Sequence, residues 1–354
     1  MVSCGGDDEP TDNPNEETIF TPSSESIAYF ANGISFPAEG GEVSVQFYSN
    51  KSWSTSSTEN WCDISPQSGK AGNNVVTLQI ASNDQLSGRK CVVALFVGEQ
   101  NNYISVSQAG QNTGTYENMS AGTLPELLGE NYMNIEELTI SGELNGTDIE
   151  LIRRMATIGG SLKSLNLQEA RIVKGGISYT SRTVDATMGN CYTENDIIGK
   201  GMFFCLGKIE NITLPRNAII VDEYAIWNCP ILKTCILPTA LKDIKDQGLS
   251  YCSELGELGL PEGINHIGSM NFQSMYKLTS ITFPSNLQMT GYMILGDCKN
   301  LKEIHIKAPV PPIAENEYLK PFESMNIPLY VPIGSLELYR ASDVWSVFSN
   351  IIEE

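Results

Sequence analysis

Nine cysteines, two histidines and Lys208, which follows Gly207, are the side chains of this sequence best suited to catalysis or metal binding. A catalytic triad or a zinc site that needs several histidines is hard to build from His266 and His305 alone. No two cysteines stand in a Cys-x-x-Cys pair, so thioredoxin-like and metal-binding interpretations are weak. Most cysteines lie in apolar periodic segments, where free cysteine acts as a small hydrophobe, and we favour this interpretation over a disulfide framework.

Lys208 ends residues 201–208, which superficially resemble a phosphate-binding loop. One residue too many separates the two glycines, and Ile209 stands where Ser or Thr would bind magnesium, so we reject this interpretation. The HExxH, GxSxG, GxGxxG and EF-hand patterns are absent from the sequence. The remaining enzymatic alternative is a glycosidase-like pair of carboxylates among the 42 acidic residues. We therefore expect no enzyme, no cofactor and no metal site.

Length, composition and charge limit the number of domains and the classes of binding partner. The 354 residues suggest about two domains, and 41% hydrophobic residues are enough to bury a core. The formal net charge of −20 argues against nucleic acid, whose phosphates need a dense basic surface, and against a polybasic membrane-surface module. These observations favour a binding or scaffolding protein, which we expect to be a monomer.

The N-terminal segment has the composition of a tether. Residues 1–22 hold six acidic residues and no basic ones, and they are rich in Pro, Asn, Thr and Ser, which predicts an acidic, disordered segment. Val2-Ser3-Cys4-Gly5 resembles the end of a bacterial lipobox, and the following acidic run resembles the surface-export signal of Bacteroidetes lipoproteins. The resemblance implies lipidation at Cys4, a natural start upstream of Met1, and a lipid anchor as the sole membrane contact. No apolar run reaches the ~18–20 residues of a spanning helix.

Residues 23–110 alternate between apolar and polar residues in short segments. Residues 42–47, 75–80, 91–97 and 103–108 each read as a strand with one buried face, which predicts a small sandwich of two antiparallel sheets. Its two tryptophans are candidates for stacking on a sugar. We expect Trp61 to fill the core and Trp53, between two serines, to be the more open candidate.

Landmarks of this segment resemble those of the BACON domain, an immunoglobulin-like sandwich described as Bacteroidetes-associated and carbohydrate-binding. The landmarks appear in order along the chain: Trp53, Trp61, Pro66, Gly69, Asn83, Asp84, Arg89, Gln108 and Gly110. The resemblance implies glycan or mucin binding, with a spacer role as the alternative.

An internal repeat dominates the rest of the chain after a linker at 111–123. Pro215, Pro238, Pro261 and Pro284 follow one another at steps of 23 residues, and four apolar columns keep the same step. A period in the twenties with Leu-x-x-Leu-x-Leu spacing is typical of a leucine-rich repeat, in which stacked coils share one core. We therefore predict an α/β leucine-rich repeat solenoid over residues 124–354. Its N-terminal cap contains helices at 124–128 and 147–155.

The outward positions of the repeat strands form the candidate binding face. Its members are mostly polar and mildly acidic, and an ordinary solvated face is the alternative interpretation. The candidate ligand-binding residues are Asn211, Thr213, Thr234, Ile236, Glu257, Thr282 and His305, of which His305 is more typical of a surface residue.

The 23-residue copies, residues 144–149, and Tyr330-Val331-Pro332 with Trp345 resemble the BspA-like leucine-rich surface proteins of Bacteroidetes. This resemblance implies adhesion to an extracellular protein or glycan at the outer membrane, and it brings no catalytic residues. The first hypothesis is therefore a lipid-anchored adhesion protein that binds through the repeat face. Glycan capture by the sandwich, with the repeats as spacer, is the second, and a purely structural spacer is the third.

Overall fold

The computed structural model describes residues 17–157, 159–180, 189–315 and 325–354. The chain divides into two compact units, residues 1–111 and 112–354. Helices are few, and most regular structure in both units is β-sheet.

The described part of the first unit contains nine strands in two sheets. The elements are β1 Phe20–Pro22, α1 Ile27–Asn32, β2 Ile34–Phe36, β3 Gly41–Ser49, β4 Trp53–Ser57, β5 Cys62–Ser65, β6 Ser68–Gly69, β7 Gly72–Ile80, β8 Arg89–Val97 and β9 Gln100–Gln108. One sheet has the order β1-β3-β7-β5 and the other β2-β9-β8-β4-β6, and every strand pair is antiparallel except β2 with β9. Alternate residues of both sheets, among them Val45, Leu78, Val93 and Ile104, bury their side chains in one core, which matches the alternation in the sequence.

The structure moves the start of this unit and the start of the second unit, whereas the end of this unit at residue 111 lies one residue from the predicted end at 110. The predicted tether at 1–22 is too long, because Phe20–Pro22 pairs with β3 and the Phe20 ring packs on Phe47 at 5.4 Å. The predicted linker at 111–123 is wrong, because most of it is a strand of the second unit, Thr113–Met119, which pairs with Glu137–Leu144. Neither segment shows a long alternation, so the sequence alone gave little sign of a strand.

The second unit consists of short parallel strands with few helices. Its elements are β10 Thr113–Met119, α2 Leu124–Leu128, a 3-10 helix Gly129–Asn134, β11 Glu137–Leu144, α3 Gly146–Met155, β12 Ser164–Asn166, β13 Ala170–Ile172, β14 Ile197–Ile198, β15 Asn211–Thr213, β16 Ile220–Val221, β17 Thr234–Ile236, β18 Asp243–Ile244, β19 His266–Ile267, β20 Ser280–Phe283, β21 Met289–Thr290, β22 Glu303–Ile306, β23 Ile313–Ala314, β24 Met325–Val331, α4 Leu336–Arg340 and β25 Phe348–Glu353. The predicted helices at 124–128 and 147–155 are confirmed.

The strands of the second unit form three sheets of parallel neighbours, and two of these sheets occupy the same position in the repeat. We call the strands β10-β11-β12-β15-β17 and β20-β22-β24-β25 the front ladder, and β14-β16-β18-β19-β21-β23 the back ladder. The pairing keeps the 23-residue register of the sequence, for example Ile212 with Cys235 and Ile281 with Ile304. The column that contains Leu232, Leu255 and Leu278 is buried, as the repeat pattern predicted.

The α/β fold predicted for residues 124–354 is confirmed only in part, because helices occur near the two ends of this unit whereas turns join the two strands of the regular copies. Residues 222–233 between β16 and β17 contain Pro230 and two left-handed residues, Tyr224 at φ 56° and Asn228 at φ 56°, which are incompatible with a continuous right-handed helix.

These left-handed positions recur with the repeat. One column contains Tyr224, Gln247, Met270 and Met293, and the other contains Cys205, Asn228, Tyr251, Ser274 and Asp297. Left-handed backbone is uncommon for residues other than glycine. In most of these positions the N–H group donates to a carbonyl of the next copy, as from Gln247 to Ser269 at 2.8 Å and from Asn228 to Ser250 at 2.9 Å. The turns therefore contribute backbone hydrogen bonds between copies in addition to those of the two ladders.

Candidate functional site

The front ladder exposes the predicted binding positions unevenly. Asn211, Thr234 and Glu257 are exposed, Ile236 is 53% exposed, and Thr213, Thr282 and His305 are half-buried. Strand pairing places Asn211 beside Thr234 and Thr213 beside Ile236, whereas Thr282 lies beside His305 in the other part of the ladder. Six of the seven residues thus form two groups, and the seventh, Glu257, lies between these groups along the chain and outside any strand.

A depression of about 560 Å³ lies where the two groups are separated. It brings together three of the predicted residues, and we call it the notch. The notch is lined by Lys233, Thr234, Cys235, Ile236, Glu254, Gly256, Glu257, Gly259 and Lys277. It combines an exposed isoleucine and two glycines, which have no side chain, with charged residues that are all exposed. These are Lys233, Glu254, Glu257 and Lys277.

His305 makes its contacts within the C-terminal strands. Its ring stacks on Tyr330 with centroids 4.6 Å apart, and its Nδ1 lies 2.8 Å from Oε1 of Glu354. Its Nε2 lies 3.7 Å from Oε1 of Glu303. His305 therefore has protein partners at both ring nitrogens, which favours the interpretation as a surface residue over that as a ligand-binding one.

The sandwich contradicts the choice of Trp53 as a sugar-stacking residue. Trp53 is 4% exposed and packs edge-on against Phe47 at 5.2 Å. Gly69 lies directly against its indole, since a Cβ at Gly69 would come within 2.5 Å of the ring. The glycine of the Pro-x-x-Gly landmark therefore makes room for a buried tryptophan, and its position was the signal that the sequence analysis missed.

Trp61 is the more open of the two tryptophans, which also reverses the prediction. Its half-buried indole lies at the edge of the core, with the Arg89 guanidinium 4.4 Å from the ring centroid. Arg89 donates from Nε to Oε1 of Gln108 at 2.8 Å, and Gln108 donates to the carbonyls of Pro37, Ala38 and Ala81. These landmarks therefore form a cation–π and hydrogen-bond network that fixes loops, and this network explains their spacing without a ligand.

Tyr103 is the more exposed of two surface tyrosines of the sandwich that the sequence analysis missed, the other being Tyr48. Its side chain is 54% exposed on β9, opposite Ala94 of β8, and Ser105 follows it on the same outer face. The buried residues Ile104 and Val106 alternate with it. That alternation was the available signal, because it requires Tyr103 to point away from the core.

Most of the described cysteines are unsuited to nucleophilic chemistry. Six of the eight from Cys62 onward are buried. Desolvation raises the pKa of the Cys91 and Cys235 thiols to about 12 and that of Cys298 to about 11. A thiol acts as nucleophile and metal ligand in its thiolate form, which such pKa values suppress at neutral pH. Within the described ranges, no group of three or more His, Cys, Asp or Glu side chains is placed to hold a metal ion.

Three cysteines of one repeat column also have a structural hydrogen bond. The thiols of Cys229, Cys252 and Cys298 each donate to the carbonyl 26 residues earlier, at 3.2, 3.2 and 3.0 Å. This contact explains why cysteine recurs where a small apolar residue would also fit.

The back ladder contains a histidine between two carboxylates. His266 Nδ1 lies 2.6 Å from Oδ1 of Asp243, its Nε2 lies 3.7 Å from Oε2 of Glu315, and Lys245 pairs with Asp243 from the other side. The hydrogen bond to Asp243 raises the pKa of His266 against the opposing effect of burial. This arrangement links adjacent copies electrostatically.

We expect the stability of the second unit to fall as pH rises through the folded-state pKa of His266. A histidine with a raised folded pKa stabilises the fold fully below its unfolded value, about 6.5, and loses that contribution above the folded value. His266→Gln should therefore flatten the decline of the melting temperature between about pH 6 and 8, measured by scanning calorimetry. Asp243→Asn should flatten it in the same way, and an unchanged slope in both variants would contradict the assignment.

The candidate lipidation residue Cys4 and the segment 1–16 lie outside the described residues. In the part of the chain that the structure describes, no helix combines the length and apolar character required to cross a membrane.

Comparisons with known proteins assign the two units separately. Residues 25–111 match the family model of the viral BACON domain, and residues 195–320 match the BspA type leucine rich repeat region in six copies. No curated protein matches the chain.

Several solved structures share low identity with the chain. The Bacteroides ovatus GH5 xyloglucanase in complex with a XXXG heptasaccharide is 21% identical over 28% of this chain, with a TM-score of 0.24, and the match spans 22% of that enzyme. A leucine-rich repeat protein from Bacteroides ovatus ATCC 8483 is 11% identical over 73% of this chain and 67% of that one, with a TM-score of 0.31. The pneumococcal vaccine antigen PcpA is 16% identical over 62% of this chain and 60% of that one, with a TM-score of 0.32.

The two family models agree with the two units of the fold and with the landmarks and repeats of the sequence. The chain therefore carries a BACON domain followed by BspA-type leucine-rich repeats.

Proposed function

We propose that this chain is a non-catalytic surface protein that binds an extracellular protein or glycan through the front ladder of its repeats, which stack as a solenoid. The observation that carries the proposal is the notch, where Thr234, Ile236 and Glu257 meet. Specific interfaces combine an apolar centre with a polar rim, and Ile236 among charged side chains has this character. The two families are generally non-catalytic, and the raised thiol pKa values agree with a binding role.

A second candidate is glycan capture by the BACON domain, with the repeats as spacer. Tyr103 favours it, because a half-exposed aromatic ring beside Ser105 offers an apolar face for a sugar and hydroxyls around it. Tyr103 replaces Trp53 as the stacking candidate.

The proposed location is the outer face of the outer membrane, with Cys4 as the lipidated residue. Acyl chains stabilise membrane attachment by about 0.8 kcal/mol per buried methylene, so two or three chains suffice for an anchor. The anchor is tested by labelling cells that express the gene with its upstream codons with a fatty-acid analogue. A label that persists in Cys4→Ser excludes this anchor.

Binding of the full chain to arrays of glycans and matrix proteins tests the proposal against its alternative. We expect Ile236→Arg to weaken binding at least tenfold, because it places a long charged side chain at the rim of the notch, while Tyr103→Ala has no effect. Ile219→Arg is the matched control, since Ile219 is 43% exposed and does not line the notch. Loss of glycan binding in Tyr103→Ala alone would support the BACON candidate, and the absence of binding on both arrays would overturn both.

A further inference from the structure

The front ladder is interrupted at residues 255–260. In regular junctions one carbonyl accepts the first two N–H groups of the next strand, as the Glu210 carbonyl accepts from Lys233 at 2.7 Å and Thr234 at 3.2 Å. Among the described residues, the equivalent bonds from 256 and 257 to the Lys233 carbonyl are absent, and so are those from 279 and 280 to the 256 carbonyl. The edge of β17 and the backbone of 256–259 therefore present main-chain groups without ladder partners.

Two glycines account for the interruption. Gly256 occupies the column of Lys233 and Thr279, and Gly259 occupies that of Ile236 and Thr282. Glycine disfavours strand structure and gives no side chain to pack. A Cβ at Gly259 would meet nothing within 4 Å, and one at Gly256 would meet only Lys277 at 3.8 Å, so the missing side chains leave open space.

The side chains around this space have unbalanced charge. Lys233 is paired with Glu210 at 2.7 Å, whereas Glu254, Glu257 and Lys277 have no ion pair within the described ranges. Two unpaired acids thus stand against one unpaired base, beside the exposed apolar surface of Ile236. The lining contains no aromatic side chain, so it lacks the stacking surface that would favour a sugar.

We propose that the notch binds an extended peptide segment of a partner protein by strand addition to the open edge of β17. Unpaired main-chain groups at a sheet edge form a template for a further strand, and alternate side chains of that strand then determine specificity. The peptide places an apolar residue against Ile236 and a basic residue near Glu254 and Glu257. This inference rests on the proposed function and specifies its ligand class.

Selection from a displayed library of random nine-residue peptides on the full chain tests the inference. We expect selected peptides to be enriched in alternating apolar and basic residues. We would methylate every second backbone amide of a selected peptide, once at the odd-numbered and once at the even-numbered residues. One of these two peptides should bind at least tenfold more weakly and the other nearly unchanged, because a strand donates from every second residue along one edge. Failure to select any peptide, or equal effects of the two methylations, would overturn strand addition.

The double variant Gly256→Thr/Gly259→Thr fills the notch with threonine, which stands one repeat later in the same two columns as Thr279 and Thr282. Neither glycine has a left-handed φ, so threonine is compatible with the backbone. We expect at least a tenfold loss of peptide binding without loss of stability. Gly207→Thr is the matched control, since Gly207 is exposed with open space around its Cβ position and does not line the notch.

The same variants separate this inference from the proposed function. Matrix-protein binding that persists in the double threonine variant would overturn the strand-addition site and leave the repeat face as a binding surface. Glycan binding that is lost in this variant would overturn the peptide as ligand.

Discussion

Leu255→Asp is expected to unfold several copies of the repeat together. Leu255 is fully buried in the column between Leu232 and Leu278, and its copy contacts a neighbour on each side. Truncation of a buried leucine alone costs about 2–5 kcal/mol, and a carboxylate in the same place adds the cost of removing a charge from water. The sum approaches the ~5–15 kcal/mol by which domains are stable, so we expect loss of the cooperative melting transition.

The loss should extend along the chain because the copies depend on one another. Around Leu255 the back-ladder strands and the left-handed turns both place hydrogen bonds between successive copies, so a disrupted copy leaves unpaired groups on both neighbours. Hydrogen exchange should show deprotection from about residue 209 to residue 306. Deprotection limited to the mutated copy would contradict cooperative stacking.

Thr279→Asp provides the control for Leu255→Asp. It introduces the same side chain one residue after Leu278, in an exposed position of the next copy. We expect a change within about 0.5 kcal/mol there, as for most surface substitutions. The comparison separates burial from added negative charge on a chain that already carries a net charge of −20.

The repeat was readable from the sequence because its constraint is periodic. One buried leucine column every 23 residues fixes the register of both ladders, and strand pairing such as Ile212 with Cys235 follows from it. The turns were not readable in the same way. Tyr224, Gln247 and Met270 share a column and a left-handed φ but no residue type, since the conformation is imposed by hydrogen bonds to the next copy.

The candidate site was only partly predictable for a related reason. The outward column that contains Thr234 and Glu257 followed from the alternation of the strands, but its interruption depends on backbone pairing across copies. Gly256 and Gly259 were visible as departures from their columns, and their consequence required the positions of both neighbours. Trp53 and Trp61 were assigned in the wrong order because Gly69, which makes room for Trp53, belongs to another strand.

Arg153→Met is expected to destabilise the second unit by about 3–5 kcal/mol, because it leaves buried main-chain carbonyls without a hydrogen-bond donor. Arg153 is 5% exposed on α3, and desolvation lowers its pKa. Its Nη1 donates to the carbonyls of Gly201 at 2.7 Å and Met202 at 2.8 Å, and its Nη2 donates to that of Phe204 at 3.4 Å. Methionine has a similar length but donates no hydrogen bond, so three carbonyls of buried residues would lose a donor.

The neighbouring residue Arg154 supplies the matched control. Arg154 is on the same helix, but its side chain is 35% exposed and it donates to side chains only, to Glu150 at 3.1 Å and to the Tyr132 hydroxyl at 3.0 Å. Arg154→Met leaves no main-chain carbonyl without its donor, so it should cost less than Arg153→Met in chemical denaturation. Arg153→Lys should rescue only part of the loss, because a single ammonium cannot reproduce the planar fork that reaches three carbonyls. Equal losses in the two methionine variants would show that the charge of α3, rather than the hydrogen bonds of Arg153, stabilises the cap.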